Sequence, residues 1–146
     1  MSRLGLKRIQ ALTMLAALGL LAAVVTALWI MPGYQSLRLR TKFSAVVTAA
    51  ESFKTAIELC AKFGPCAASG ALSGLEEGTL GIPHSSSGTY LASVRVASNG
   101  TITASATKAE GLAGETYVLT PRYVKGEPLT WAVSGSCKTR PEGAIC

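Results

Sequence analysis

Four cysteines, Cys60, Cys66, Cys137 and Cys146, carry the most definite chemistry in this chain. An even number in a small domain behind an apolar N-terminal segment reads as a disulfide set made in an oxidising compartment. Three pairings are open. The short spacings favour Cys60–Cys66 and Cys137–Cys146, and closing a loop the size of the second is worth roughly 2–3 kcal/mol by chain entropy. Zinc is the competing use of the same side chains. Both spacings are wider than the usual CxxC knuckle, and His84 is the sole histidine, so zinc is the weaker reading.

The other reactive residue types form no catalytic constellation. His84 stands before Ser85, Ser86 and Ser87, a base beside hydroxyls, but the sequence places no acid near it to orient the imidazole. A lone loop histidine is ordinarily solvated. Glu76-Glu77 reads as a charged loop tip rather than a cation site, and "SNG" at Ser98–Gly100 as a turn rather than a phosphate cradle. Lys108, Arg122, Lys125, Lys138 and Arg140 are the residues that would have to gather to hold a polyanion such as DNA. The formal charge is +6, and Arg3, Lys7 and Arg8 supply half of it. Eleven further basic residues against eight acidic ones leave +3 on the remainder, which supports nucleic acid only weakly. Neither an enzyme nor a cofactor is expected.

The elements that carry these residues begin with an anchor. No charged residue occurs from Ile9 to Leu37, and residues 11–31, "ALTMLAALGLLAAVVTALWIM", are almost purely apolar. About 20 such residues span the hydrocarbon core of a bilayer as a helix. A basic leader, residues 1–10, would stay in the cytoplasm and send the rest outward, with Trp29 at the outer interface. A cleaved secretory signal ending in "VTA" (Val25–Ala27) is the competing reading. Its apolar stretch should run only about 7–15 residues; this run passes the cut into Trp29, Ile30 and Met31. A retained membrane helix fits better. Ala16, Ala17, Gly19, Ala22 and Ala23 would let such helices approach closely.

Beyond Pro32-Gly33 the period becomes amphipathic. Leu39, Phe43, Val46, Val47, Ala50, Phe53, Ile57 and Cys60 recur at three- and four-residue steps. Arg38, Lys42, Glu51, Lys54, Glu58 and Lys62 lie off that stripe, with Glu58 and Lys62 spaced for an i,i+4 pair. Gly64-Pro65 stops a helix of Tyr34 to Phe63. Pro32 and Gly33 predict a kink rather than a break, joining it to the membrane segment in one long helix. Residues 67–87 are rich in Gly and Ser and read as a loop. Four strands follow at Thr89–Ala97, Thr101–Thr107, Thr116–Val124 and Leu129–Ser136, the first pair joined through Asn99-Gly100. The first should place Tyr90, Ala92, Val94 and Val96 on one face. Pro121 should put its strand at an edge or a bulge. The fold class is therefore α+β, a long helix packed on a four-stranded antiparallel meander. Its segments are 1–10 (leader), 11–31 (membrane helix) and 32–146 (globular domain with the outer half of the helix).

The stretches "MPGYQSLRLRTKFSAVVTAAESFKTAIELC", "SNGTITASAT" and "GETYVLTPRYVKGEPLTWAVSGSC" make the chain resemble the type IV pilins, and the type IVa group in particular, from about Ile30 to the end. The resemblance implies a ladle-shaped fold, an αβ-loop at Ala67–Ser87 and a C-terminal disulfide-bonded loop from Cys137 to Cys146. It implies a structural subunit, major, minor or atypical, of a type IV pilus that serves adhesion, twitching motility or DNA uptake. Partners would be further copies or other pilins through the N-terminal helix, the pilus assembly machinery and inner-membrane lipid. The globular domain would face the periplasm, and an assembled filament would be a cell-surface fimbrium. Counting back from Pro32 by the family's usual distance puts the processing cut at Gln10–Ala11, where the family methylates the new N-terminus. The family has Gly-Phe at that cut and a Glu shortly after; this chain has Gln10, Ala11 and Leu15. That departure motivates an alternative, an uncleaved inner-membrane-anchored accessory protein that binds a genuine pilin and affects assembly.

Overall fold

The structure, a computed structural model, describes residues 3–67 and 69–146, and among these every side chain except those of 3–9, 11, 31 and 32. It divides into two compact units, Met1–Ser36 and Leu37–Cys146. One helix, α1 (Arg3–Phe63), supplies the described structure of the first unit and continues into the second. The separate helix from Tyr34 is thus the later part of a single element.

In the first unit α1 is built from Ala and Leu, strong helix formers. Its large side chains are exposed on every side, from Leu12 to Ile30. The hydroxyls in this segment are satisfied locally. Thr13 Oγ1 donates to Gln10 O at 2.9 Å, and Thr26 Oγ1 reaches Ala22 O and Ala23 O, both at 3.0 Å. Such back-bonding lets a polar group sit in an apolar environment without an orphan donor.

In the second unit the stripe on α1 becomes the core. Phe43, Val46, Ala50, Phe53, Ile57 and Cys60 are buried; Leu39 and Val47 pack partly against them. They face a sheet of β1 (Leu91–Val96), β2 (Ile102–Ala106), β3 (Thr116–Arg122) and β4 (Thr130–Ser134), antiparallel in that order. Leu91, Val94, Ile102, Ala104, Ala106, Tyr117 and Leu119 are its buried side chains. Two short 3₁₀ turns, Pro65–Ala67 and Ser136–Lys138, follow α1 and β4. Helix α1 ends where Gly64 N donates to Cys60 O at 2.8 Å. The β1–β2 hairpin closes through Gly100 N to Ala97 O at 2.8 Å, with Gly100 at φ +85° and Thr101 N on Asn99 Oδ1 at 3.0 Å. This is the three-residue hairpin loop in which glycine takes the left-handed position.

Three expectations change in detail. β1 does not alternate strictly, because its register shifts between Leu91 and Ser93. That irregularity turns Leu91 and Val94 inward and leaves Ala92 exposed. Pro121 lies on an internal strand, but β3 outruns β2, whose pairing stops at Leu119, so at Pro121 the ladder runs only to Trp131 of β4. The proline's missing donor therefore removes no bond on the β2 side. Glu58 does not pair with Lys62; it accepts from Trp131 Nε1 at 2.8 Å and ties α1 to β4. Each strand is also two or three residues shorter than predicted. The predicted loop at 67–87 contributes Leu75 and Ile82 to the core, although it has no regular element among the described residues beyond Ala67.

Phe53 is 1 % exposed at the centre of the helix–sheet contact. Phe53→Ala should lower stability by about 3–5 kcal/mol, read as a reduced urea midpoint of the full-length chain in detergent.

Candidate functional site

The cysteines draw the second unit's loops together. Cys60 and Cys66 are bonded across the end of α1, with Cα atoms 5.9 Å apart, and Cys137 and Cys146 close the C-terminal loop at 5.6 Å. That loop is packed, not loose. Cys137 and Ile145 are buried, and Ile145 N donates to Cys137 O at 2.9 Å. Arg140 Nη1 lies 2.5 Å from Glu115 Oε1, with side-chain exposures of 12 % and 5 %, and Ala113 N donates to the other Glu115 oxygen at 2.9 Å. Arg140 Nε also reaches Glu142 Oε2 at 3.4 Å. On the helix side, Arg40 Nε donates to Ala144 O at 3.2 Å.

A second clamp joins α1 to the β2–β3 loop. Lys42 Nζ sits 2.9 Å from Glu110 Oε2 and 2.8 Å from Glu110 O, and Tyr90 OH donates to the same carboxylate at 3.4 Å. Glu110 takes φ +52° to present both oxygens, a conformation costly for a non-glycine residue. The hydrogen bond and charge of Lys42 hold the Glu110 carboxyl below its ordinary pKa. Where β4 leaves the sheet, Gly135 has φ +120°, and a Cβ there would collide with the Thr116 carbonyl. Thr116 and Ser136 bond each other around it, N–H to hydroxyl in both directions, at 2.9 and 3.1 Å.

The remaining candidate residues do not converge. His84 is exposed, with its ring over Gly78; the Ser85 hydroxyl is committed to Val94 O at 2.8 Å. Among the described residues no group of three or more His, Cys, Asp or Glu could hold a metal ion. Lys108, Lys138 and Arg140 lie beside the two C-terminal-side loops, whereas Arg122 and Lys125 lie at the opposite end of β3. The five therefore form no single polyanion groove. Gln10 and Ala11 fall within α1, as do Pro32 and Gly33; the side chains of Ala11 and Pro32, and those of the leader's Arg3, Lys7 and Arg8, lie outside the described residues.

Residues 39–143 match the pilin family, described as Pilin (bacterial filament). The chain belongs to that family. Among solved structures it is similar to the solution NMR structure of the major type IV pilin PpdD from enterohemorrhagic Escherichia coli, with 27 % identity, a TM-score of 0.43, and 70 % of this chain and 69 % of that one covered. No curated protein matches the sequence. In this member of the pilin family, a structural and non-enzymatic family, the architecture is a long N-terminal helix, a four-stranded antiparallel sheet and a disulfide-bonded C-terminal region.

What sequence reasoning missed in this pilin is the pair of ionic clamps. Glu115 and Arg140 are 25 residues apart, and Lys42 and Glu110 are 68 apart. No local period connects residues so distant. The one available signal was a buried-type context around Glu115, an acid set directly against the alternating strand "TYVLT".

Breaking the buried pair should matter far more than breaking an exposed one. Arg140→Gln leaves the Glu115 carboxylate with no cation and should cost about 3–5 kcal/mol. Lys54→Gln removes the half-exposed pair with Glu51 and should cost less than about 1 kcal/mol. Urea midpoints of the two variants compare them directly. The Lys42–Glu110 clamp has a definite pH sense. Because the folded-state pKa of Glu110 is depressed, its contribution is present above the ordinary carboxylate range and disappears as pH falls through the lowered value. In an NMR titration of the Glu110 side-chain carboxyl, Lys42→Met should move the midpoint upward.

Proposed function

We propose that this pilin is a structural subunit of a type IV pilus, held by its N-terminal helix in the inner membrane until it joins the filament. The observation that carries this reading is the surface of the first unit. Leu12, Leu15, Leu18, Leu20, Leu21 and Leu28 are each 66–69 % exposed on a helix without a charged residue from Ile9 to Leu37. The helix is long and apolar enough to cross a membrane. Apolar area of that extent is stable only against lipid or against other apolar helices, and Ala16, Gly19 and Ala23 suit close helix packing.

Orientation rests on the cysteines more than on charge. Three cations precede the uncharged run, and Arg38, Arg40 and Lys42 follow it closely, so the two flanks nearly balance. Two disulfides belong on the oxidising side, which favours a periplasmic globular domain. Processing at Gln10–Ala11 would then free the subunit for assembly, and the filament would serve adhesion, twitching motility or DNA uptake.

One observation favours a second reading, the uncleaved accessory protein that binds another pilin. Leu15 and its neighbours place no carboxylate in the apolar segment, so no buried charge pair is available to set the register between subunits. The intact mass of the membrane-extracted protein separates the two. A chain starting at Ala11 supports the filament subunit, one starting at Met1 supports the accessory protein, and one starting at Leu28 would sink both. On sheared surface material, antibody to residues 88–146 should decorate fibres; fibres that are never labelled rule out the polymer.

A further inference from the structure

The net charge of the globular unit is concentrated at one end. Arg38, Arg40 and Lys42 lie on α1, Lys108 at the start of the β2–β3 loop, and Lys138 and Arg140 in the C-terminal loop. The contacts already described place these segments together: Arg40 on Ala144, Lys42 on Glu110, Arg140 on Glu115. The Lys108 stem lies across Gly114, beside Glu115, and Lys138 Nζ donates to Val133 O at 2.8 Å. Three carboxylates, Glu110, Glu115 and Glu142, share this end, so its net charge is +3. All three are engaged by Lys42 or Arg140. Arg40, Lys108 and Lys138 have no carboxylate within ion-pair distance among the described residues. The rest of the unit carries five basic and five acidic residues and sums to zero. The whole surplus of the unit therefore sits at this one end.

The same end is where the chain emerges from the apolar run. Arg38 is the first charged residue after Leu37, and Arg40 and Lys42 follow within one helical turn. We propose that this end of the globular unit is a footing for anionic phospholipid headgroups, which holds the domain against the membrane surface while its helix is anchored. The proposal rests on the membrane-anchored reading above. Chain connectivity tethers the cations near the headgroup layer, so their effective concentration there is high. An anionic surface attracts each basic residue within about a Debye length, roughly 10 Å at about 0.1 M salt. A polyanion in solution would have to supply its own association entropy, and it would meet cations divided among three segments rather than a groove. Through the Arg40–Ala144 and Glu115–Arg140 contacts, the footing would also include the disulfide-bonded loop.

The test uses the full-length chain in lipid nanodiscs, either neutral phosphatidylcholine or a mixture with phosphatidylglycerol, with hydrogen–deuterium exchange of the amides in residues 108–114 and 138–144. Both discs should retain the protein. In the anionic discs those amides should exchange about fivefold more slowly or better, and 0.5 M salt should abolish the difference. The Lys108→Gln, Lys138→Gln double variant should lose most of the protection. The Arg122→Gln, Lys125→Gln variant, which removes the same charge from the opposite end of β3, should keep it. Equal exchange in both lipids, protection that survives salt, or equal loss in the two variants would each overturn the footing and leave the anchor intact. Failure of the chain to stay with either disc would overturn the anchor and the footing together. Duplex DNA that protects the same amides in neutral discs more strongly than anionic lipid does would reassign the charge to nucleic acid.

Discussion

In the second unit everything is arranged around one contact, the stripe Phe43–Val46–Ala50–Phe53–Ile57–Cys60 pressed on the sheet. A helix and a four-stranded sheet of five- to seven-residue strands are each amphipathic, and neither can shelter its apolar side alone. The alternation of three- and four-residue steps keeps the stripe on one face for five turns, long enough to meet all four strands. The polar ties are placed around this contact. Trp131 and Glu58 bond at its β4 side, and Lys54 with Glu51 lies near Tyr117, whose hydroxyl pKa is raised chiefly by burial. Each tie orients a side chain at the margin of an apolar seal rather than replacing it.

The loops depend on the same contact but are fixed by other means. The segments 107–115 and 135–146 have too few apolar residues to pack by hydrophobic burial alone. Leu112 and Ile145 supply one plug each, and two ionic clamps with a disulfide do the rest. The Glu115–Arg140 pair is the more demanding, since an ion pair so far from water is stable only when its remaining oxygen is also bonded. Ala113 N meets that requirement at 2.9 Å. A loop fastened in this way can vary at its exposed positions without disturbing the core.

Elements set by period or by an unambiguous local signal were legible in the sequence. The helix stripe, the Gly64-Pro65 stop, the Asn99-Gly100 hairpin and the order of four strands all follow from neighbours within a few residues. The misreadings have a common cause. The irregularity at Leu91/Ser93, the partner of Glu58, the half-edge position of Pro121 and the burial of Leu75 and Ile82 are decided by chain segments far away in sequence. Leu75 is the clearest case. It stands in a Gly- and Ser-rich stretch with no period, yet it is fully buried, and its N–H reaches Ser98 O at 3.4 Å beside the hairpin tip. Only the completed sheet creates the place it fills. The partners in the two clamps were unreadable for the same reason.

Within α1 the sequence passes from uncharged to charged without interrupting the helix. Up to Leu37 the helix has no charge to lose on entering lipid, and its hydroxyls are bonded to its own carbonyls. From Arg38 onward charge returns at once, on a face that leaves the apolar stripe free to pack. The transition is abrupt because intermediate sequences are penalised twice. A cation placed earlier would be costly in hydrocarbon, by about 3 kcal/mol on insertion scales. An apolar run extended past Leu39 would leave Leu-rich surface facing water beside the loops. The grouping of Arg38, Arg40 and Lys42 directly after the uncharged run would suit a helix leaving lipid for water, and it gives the adjoining loops a cationic neighbour against which Glu110 and the Ala144 carbonyl are set.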